Sequence, residues 1–339
     1  MNGLERVTAA IQGTPKDRVP LSLTLSLYGA KLTSCPLQEY YSNPAEYVKG
    51  QQQVYEIIKP DIIFSPFSLP LYGKAFGSEI KFFKDQPPNL QKPLVKKPSD
   101  IDKLDFEKAL NSPVITFIVE SVKGLIQQLG KTTVIAAVAI GPYDLPVMLM
   151  GLEEWLDMLL SSPEKANKLL EETAQFFIEL TNRLFNAGAT VSVLPAVFVN
   201  PRIVTRSIAE NILKQSIDTF SQVKGPLVLH SGGTKIQPFL DIYEGLPNVA
   251  AFVVNYDDDL IKVRQKLANN QVIIGNIEGP FLGNWNKAKI LEKTRAICNQ
   301  LGDDPNFIFG SSGADIPYNT PVENILIIND QLERYNENG

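Results

Sequence analysis

Val134-Ile-Ala-Ala-Val-Ala-Ile140 runs straight into Gly141-Pro142-Tyr143-Asp144, and this unbroken apolar run followed by a turn decides the fold. A strand with one wet face alternates apolar and polar residues. One that is apolar at every position must be covered on both faces, as in a parallel sheet clothed in helices. Working outward, seven more short runs of this kind appear: Leu21–Leu27, Asp61–Ser65, Val191–Leu194, Leu227–His230, Ala250–Asn255, Val272–Gly275 and Phe307–Gly310. Helical patterns separate them. Asn43-Pro44 opens one as an N-cap with proline at the first position; Ser162-Pro163-Glu164 opens another that runs to about Asn186, with Gly188 as its stop.

Eight strands, each followed by helix, predict an α/β fold: a single (β/α)8 TIM barrel spanning residues 1–339 as one domain. A doubly wound open sheet is the alternative. It is disfavoured because Leu27-Tyr28-Gly29-Ala30-Lys31, after the first strand, carries one glycine where a dinucleotide-binding turn needs three. The stretch Phe67–Lys131 reads as a long elaboration between strands 2 and 3, covering the barrel mouth. Within it lie a hairpin pattern at Gly77–Asp85, a proline-rich loop at Gln86–Pro98 and two helical patterns.

At 339 residues, 44% of them hydrophobic and 20% charged, the chain can bury a barrel-sized core. A net charge of -5 argues against nucleic acid as partner, and the basic cluster Lys92–Lys97 reads as a solvated loop. Val134–Met150 is interrupted by Gly141, Pro142, Asp144 and Pro146, so no membrane span is expected from it. The N-terminus lacks a signal-peptide pattern, and two distant cysteines make no disulfide framework. The expectation is a cytoplasmic protein; a homodimer is compatible with this reading.

Barrel enzymes do their chemistry just past the strand C-termini. The chain's one histidine, His230, falls there, and with a single histidine no multi-histidine metal site can be built. Asp315, Glu278 and Asp144 fall at other strand ends and complete a candidate catalytic set. Tyr28, Phe67, Tyr143 and Asn276 are candidates for lining the substrate pocket, and Ser311-Ser312 could hold an anion through backbone N–H groups. Blander readings stand beside these: Asp144 as cap of the helix from Leu145, Asp257–Asp259 as partners of a helix N-terminus, and Ser311–Gly313 as a plain turn.

An ordered series of motifs then appears: Arg18-Val19-Pro20, Gly141-Pro142-Tyr143-Asp144-Leu145, Pro163-Glu164-Lys165, Ala187-Gly188-Ala189, Leu229-His230-Ser231-Gly232-Gly233, Gly275-Asn276-Ile277-Glu278, Gly313-Ala314-Asp315-Ile316-Pro317 and Thr320-Pro321-Val322-Glu323-Asn324-Ile325. Together they resemble the uroporphyrinogen decarboxylase superfamily, which independently implies a (β/α)8 barrel. The chain looks more like the corrinoid and coenzyme M methyltransferase branch than the decarboxylases. The decarboxylase pattern has an arginine-rich segment after the first strand, where Leu23–Thr33 holds Lys31 and no arginine. It has an aspartate where Pro66 stands, a tyrosine near Met148 and a C-terminal histidine at Ala314.

The methyltransferase branch implies zinc held by His-x-Cys and a later Gly-Cys. Here the histidine is His230, but Gly232 and Ala314 occupy the cysteine positions, and no family-type zinc site is expected. The resemblance thus implies a zinc-independent methyl (C1) transferase acting with a corrinoid, or a corrinoid-protein methyl donor. In that role His230 would be base or orienting donor, with Asp315 or Glu278 as its partner. The alternatives are a decarboxylase of a tetrapyrrole or other acid, with His230 or Asp144 supplying the proton, and a noncatalytic tetrapyrrole or C1-carrier binding protein.

Overall fold

The structure, a computed structural model, describes residues 1–268 and 270–337. Eight parallel strands form one sheet: β1 (Leu21–Ser22), β2 (Ile62–Phe64), β5 (Val134–Val138), β6 (Val191–Pro195), β7 (Leu227–His230), β8 (Val249–Val253), β9 (Val272–Glu278) and β10 (Phe307–Ser312). The two intervening strands, β3 (Glu79–Lys81) and β4 (Asn89–Lys92), form a separate antiparallel hairpin. The main sheet runs in the order β1-β10-β9-β8-β7-β6-β5-β2. The N–H of Asp61 donates to the carbonyl of Leu21 at 2.8 Å, which brings the first and last strands of that order together and closes the ring. This is the expected (β/α)8 barrel, with all eight strands where the apolar runs lie.

Period-two alternation sorts each strand between two cores. Phe64, Ala136, Val193, Val228, Val253, Ile274 and Ile308 point into the lumen, which Val7 and Ala10 of the helix Gly3–Gln12 close from below. Leu21, Ile63, Ile135, Leu229, Phe252, Ile273 and Phe309 point outward into the helical layer. Both faces are dry, which is why the strands read as unbroken apolar runs.

At the bottom of the barrel, Asp61 is the knot. Its carboxylate accepts from Arg18 at 2.7 Å, Arg6 at 2.7 Å and the N–H of Leu21 at 2.7 Å. The buried charge is matched by two guanidinium groups, so its desolvation is compensated.

Some boundaries differ from expectation. β1 leaves the ladder after Ser22, because beyond it the chain bonds side chains instead: Thr24 N–H donates to Ser311 Oγ at 2.9 Å and Leu27 N–H to Asp315 Oδ1 at 3.2 Å. The elaboration after β2 begins with a helix, Pro70–Phe76, and the second hairpin strand falls in what composition marks as a proline-rich loop. It packs on the helix Leu145–Met150 through Ser78 Oγ, which donates to Met148 O, and Val95 N–H, which donates to Leu149 O. Between β3 and β4, Asp85 accepts from Asn319 of the segment after β10 at 3.4 Å, so the hairpin turn touches the β10 loop.

Asn43 caps its helix, accepting from Ala45 N–H at 3.1 Å, and Gly188 takes φ +105° as a helix stop. Ser162 precedes its helix without a side-chain cap. The run Phe106–Leu129 is long and apolar enough by composition to cross a membrane. Asn111-Ser112 breaks it, however, and Ile115, Ile118, Val122 and Leu125 are buried on its second helix, which packs against Pro44–Ile58.

Candidate active site

β7 delivers His230 to the top of the lumen. The residue lies two positions beyond the inward-facing Val228 and pairs in register with Val253, another lumen residue. Its ring is 2% exposed and meets the edge of Phe67 at a centroid distance of 5.6 Å. Burial without a counter-charge pushes the imidazole down to about 4, so it is neutral at physiological pH. Nδ1 accepts the N–H of Gly232 at 3.0 Å, while the buried Nε2 has no hydrogen-bond partner among the described residues.

Phe67 reaches this position from the end of β2. Its N–H donates to Ser26 Oγ at 2.9 Å, and Ser26 bonds Tyr47 Oη at 2.9 Å. The fold thus brings the candidate residues His230 and Phe67 into contact.

Asp144 and Asp315 stand at the same end of the barrel and hold its loops. Asp144 is fully buried, and its two oxygens accept Val197 N–H at 3.1 Å and Phe198 N–H at 3.0 Å, tying the β5 loop to the β6 loop. Desolvation pushes its carboxyl up to about 7, with those two amides pulling back. It sits at the helix start without capping it, so the capping reading is corrected. Asp315 ties the β10 loop to the β1 loop through Leu27, and burial likewise pushes it up to about 7. Asp258, which the sequence reading groups with Asp257 and Asp259 at a helix N-terminus, instead accepts the N–H groups of Ile236, Gln237 and Asn255 and clamps the β7 and β8 loops together. A carboxylate that accepts backbone N–H groups from the neighbouring loop rigidifies the rim. Asp259 does cap the following helix, accepting Lys262 N–H at 3.1 Å.

The other candidates are placed elsewhere. Glu278 turns to Lys293 of the outer helix Lys287–Leu301, at 3.3 Å, and lines a small cleft with Tyr256 and Gln300. Asn276 donates to the carbonyls of Asn255 and Asp258 and acts as a staple. Tyr28 is buried, its hydroxyl donating to Thr320 O at 2.6 Å. Tyr143 is buried between the outer helices beside Leu170 and Ile212. The Ser311 hydroxyl accepts from Thr24 N–H and that of Ser312 donates to Ile277 O at 3.2 Å, while the backbone of both, the proposed anion holder, runs in the β10 ladder opposite Ile277 and Glu278 of β9. A strand end sets where a residue stands, while its facing depends on neighbours remote in sequence.

The zinc pattern of the methyltransferase branch can be tested on the backbone itself. Gly232 adopts φ +63°, and a Cβ there would lie 2.7 Å from Val197 Cα and 2.8 Å from Ala196 O. The β6 loop occupies the space a cysteine would need. Cys35 and Cys298 are buried in other elements, with burial pushing the Cys298 thiol up to about 12. No group of three histidine, cysteine or acidic side chains suited to a metal occurs among the described residues. These residues do not fit the His-x-Cys and Gly-Cys zinc site.

The chain matches the uroporphyrinogen decarboxylase family model over residues 2–335. It belongs to that family. Among curated relatives of this URO-D family member, it is 22% identical to the methylcobamide:CoM methyltransferase MtaA of Methanosarcina barkeri, over 81% of this chain and 82% of that protein. It is 23% identical to the methylcobamide:CoM methyltransferase MtbA of Methanosarcina acetivorans, over 83% of this chain and 84% of that one. Among solved structures, a methyltransferase from Methanosarcina mazei superposes with a TM-score of 0.86 over 99% of both chains at 19% identity, which shows the shared fold. A B12-independent methionine synthase from Shewanella superposes with a TM-score of 0.54 over 89% of this chain and 90% of that one, at 11% identity.

Proposed function

We propose that this URO-D family protein is a methyl (C1) transferase that takes its methyl group from a methylcorrinoid, free or protein-bound, at the mouth around His230, without a family-type zinc. The observation that carries this reading is the retention of His230 inside the lumen end, in a chain whose curated relatives are methylcobamide:CoM methyltransferases.

The chemistry of the mouth supports it over decarboxylation of a carboxyl-rich tetrapyrrole. Such a substrate calls for bidentate arginine clamps. The segment after β1 has none, and Arg18 is spent on Asp61 at the opposite end. His230 is neutral, Phe67 apolar, and Asp144 and Asp315 are largely protonated below about pH 7, so these four side chains offer a polyanion no positive charge, and Arg202 on the β6 rim loop is paired with Asp257. In the transfer, the acceptor's lone pair forms the new bond to the methyl carbon while the carbon–cobalt pair remains with cobalt. The chain's own contribution is to orient the acceptor at His230 and Phe67 and to exclude water with rim loops held by Asp144, Asp258 and Asp315. We place the protein in the reducing cytoplasm, where Cys35 and Cys298 stay free thiols.

Equilibrium binding tests the reading. Methylcobalamin is expected to bind saturably, and a carboxyl-rich tetrapyrrole is expected not to compete. Saturable tetrapyrrole binding with no binding of methylcobalamin would favour the decarboxylase.

A further inference from the structure

A neutral imidazole carries one proton, and its other nitrogen can only accept. In His230 the accepting nitrogen is Nδ1, because Gly232 N–H points at it from 3.0 Å. The proton is therefore on Nε2. The opposite tautomer would set Nδ1–H against Gly232 N–H, donor to donor. Gly232 has little freedom to turn away, since its left-handed backbone is wedged against Ala196 O and Val197 Cα. Nε2–H is buried, has no partner among the described residues, and lies at the lumen end beside Phe67.

We infer that His230 is a hydrogen-bond donor rather than a base or metal ligand, and that its Nε2–H donates to an sp2 oxygen, carboxylate or carbonyl, of the methyl-accepting molecule. The inference rests on the methyl-transfer reading only for the identity of that molecule. A buried donor in apolar surroundings selects strongly for ligands that carry an acceptor, because any other ligand leaves it unpaired. A thiol fits poorly: its sulfur is a weak acceptor, and its proton has nowhere to go on a nitrogen already protonated. The mouth thus departs from thiol activation in its donor set as well as in its missing cysteines.

Because His230 is the only histidine, protein labelled with 15N-histidine gives one imidazole and no ambiguity. At pH 7 the two-bond nitrogen–proton correlations are expected to show the Nε2–H tautomer. Acetate and acetamide, as the carboxylate and carbonyl probes, are expected to move the Nε2 resonances saturably, and the tighter of the two identifies the oxygen preferred. Ethanethiol is expected to leave them unmoved. His230→Phe should weaken the better oxygen probe about tenfold, whereas His230→Gln, which keeps an N–H donor, should stay within about threefold.

An Nδ1–H tautomer, an imidazolium, a response to ethanethiol with none to either oxygen probe, or silence to all three probes overturns the inference. None of these readouts uses a methyl donor. Failure of methyl transfer would therefore leave the donor assignment standing, and the reverse.

Discussion

Val197 and Gly232 are packed backbone to backbone, so closely that a Cβ on the glycine would come within 2.7 Å of Val197 Cα. The position that would supply the first zinc cysteine is thus filled by the neighbouring loop, which Asp144 holds in place. Gly232→Cys combined with Ala314→Cys should therefore fail to restore zinc. The single substitution Gly232→Cys should lower stability by about 2 kcal/mol or more, from the left-handed backbone and the clash together. Elemental analysis and denaturant unfolding check both; near-stoichiometric zinc in the double variant would refute the packing argument.

Removal of the Asp144 carboxylate should loosen the rim. Asp144→Ala removes the acceptor of two part-buried N–H groups and is expected to cost roughly 2–4 kcal/mol, whereas Asp144→Asn keeps one acceptor and should cost less. Amide exchange at Val197 and Phe198 should rise in the alanine variant. Unchanged exchange there would show that the contacts are not what holds the loop.

The mouth should impose a distinctive pH dependence. Asp315 titrates near 7 when folded and near 3.8 ordinarily. Between those values the folded protein holds a proton that the unfolded chain has released, so this group's contribution to stability falls as pH rises, and levels off above about 7. His230 runs the other way: the unfolded chain takes up a proton below 6.5 that the folded protein refuses down to about 4, so its contribution rises with pH over that window. In Asp315→Asn the falling component disappears. The stability of wild type relative to this variant should drop by about 3 kcal/mol between pH 5 and pH 8. A difference that stays flat across that range would mean the carboxyl is ionised throughout.

At the opposite end, Asp61→Ala should be costly for a different reason. It leaves Arg18 and Arg6 without their shared buried carboxylate and should destabilise by about 3–5 kcal/mol. Ligand binding at the mouth should be unaffected in whatever fraction remains folded. Loss of binding without loss of stability would place Asp61 in the site.

The barrel was legible in the sequence because burial on both faces leaves continuous apolar runs, as at Val134–Ile140, and because strand ends mark the mouth. The extent of β1 was not: its departure after Ser22 depends on Ser311 and Asp315, nearly 290 positions away. His230 and Phe67 could each be assigned to the mouth from their places near strand ends, but not to each other: Phe67 lies past the end of β2, and its position depends on the bond of its N–H to Ser26. Glu278 and Tyr143 stand at equally good strand ends but face Lys293 and the outer helices, a choice made by residues that no local pattern reports. The absence of cysteine at 232 was visible; that the β6 backbone fills its place was not.

The most direct measurement of the central claim is the fate of the cobalt–methyl bond. Methylcobalamin is incubated with the protein and a panel of acceptors bearing carboxylate or carbonyl groups, and the loss of its methyl-cobalt absorbance is followed, in wild type and in His230→Phe. The account predicts acceptor-dependent demethylation by wild type, with the methyl group recovered on the acceptor, and a slower rate in His230→Phe. No demethylation with any acceptor, together with release of carbon dioxide from a tetrapyrrole acid, would contradict it.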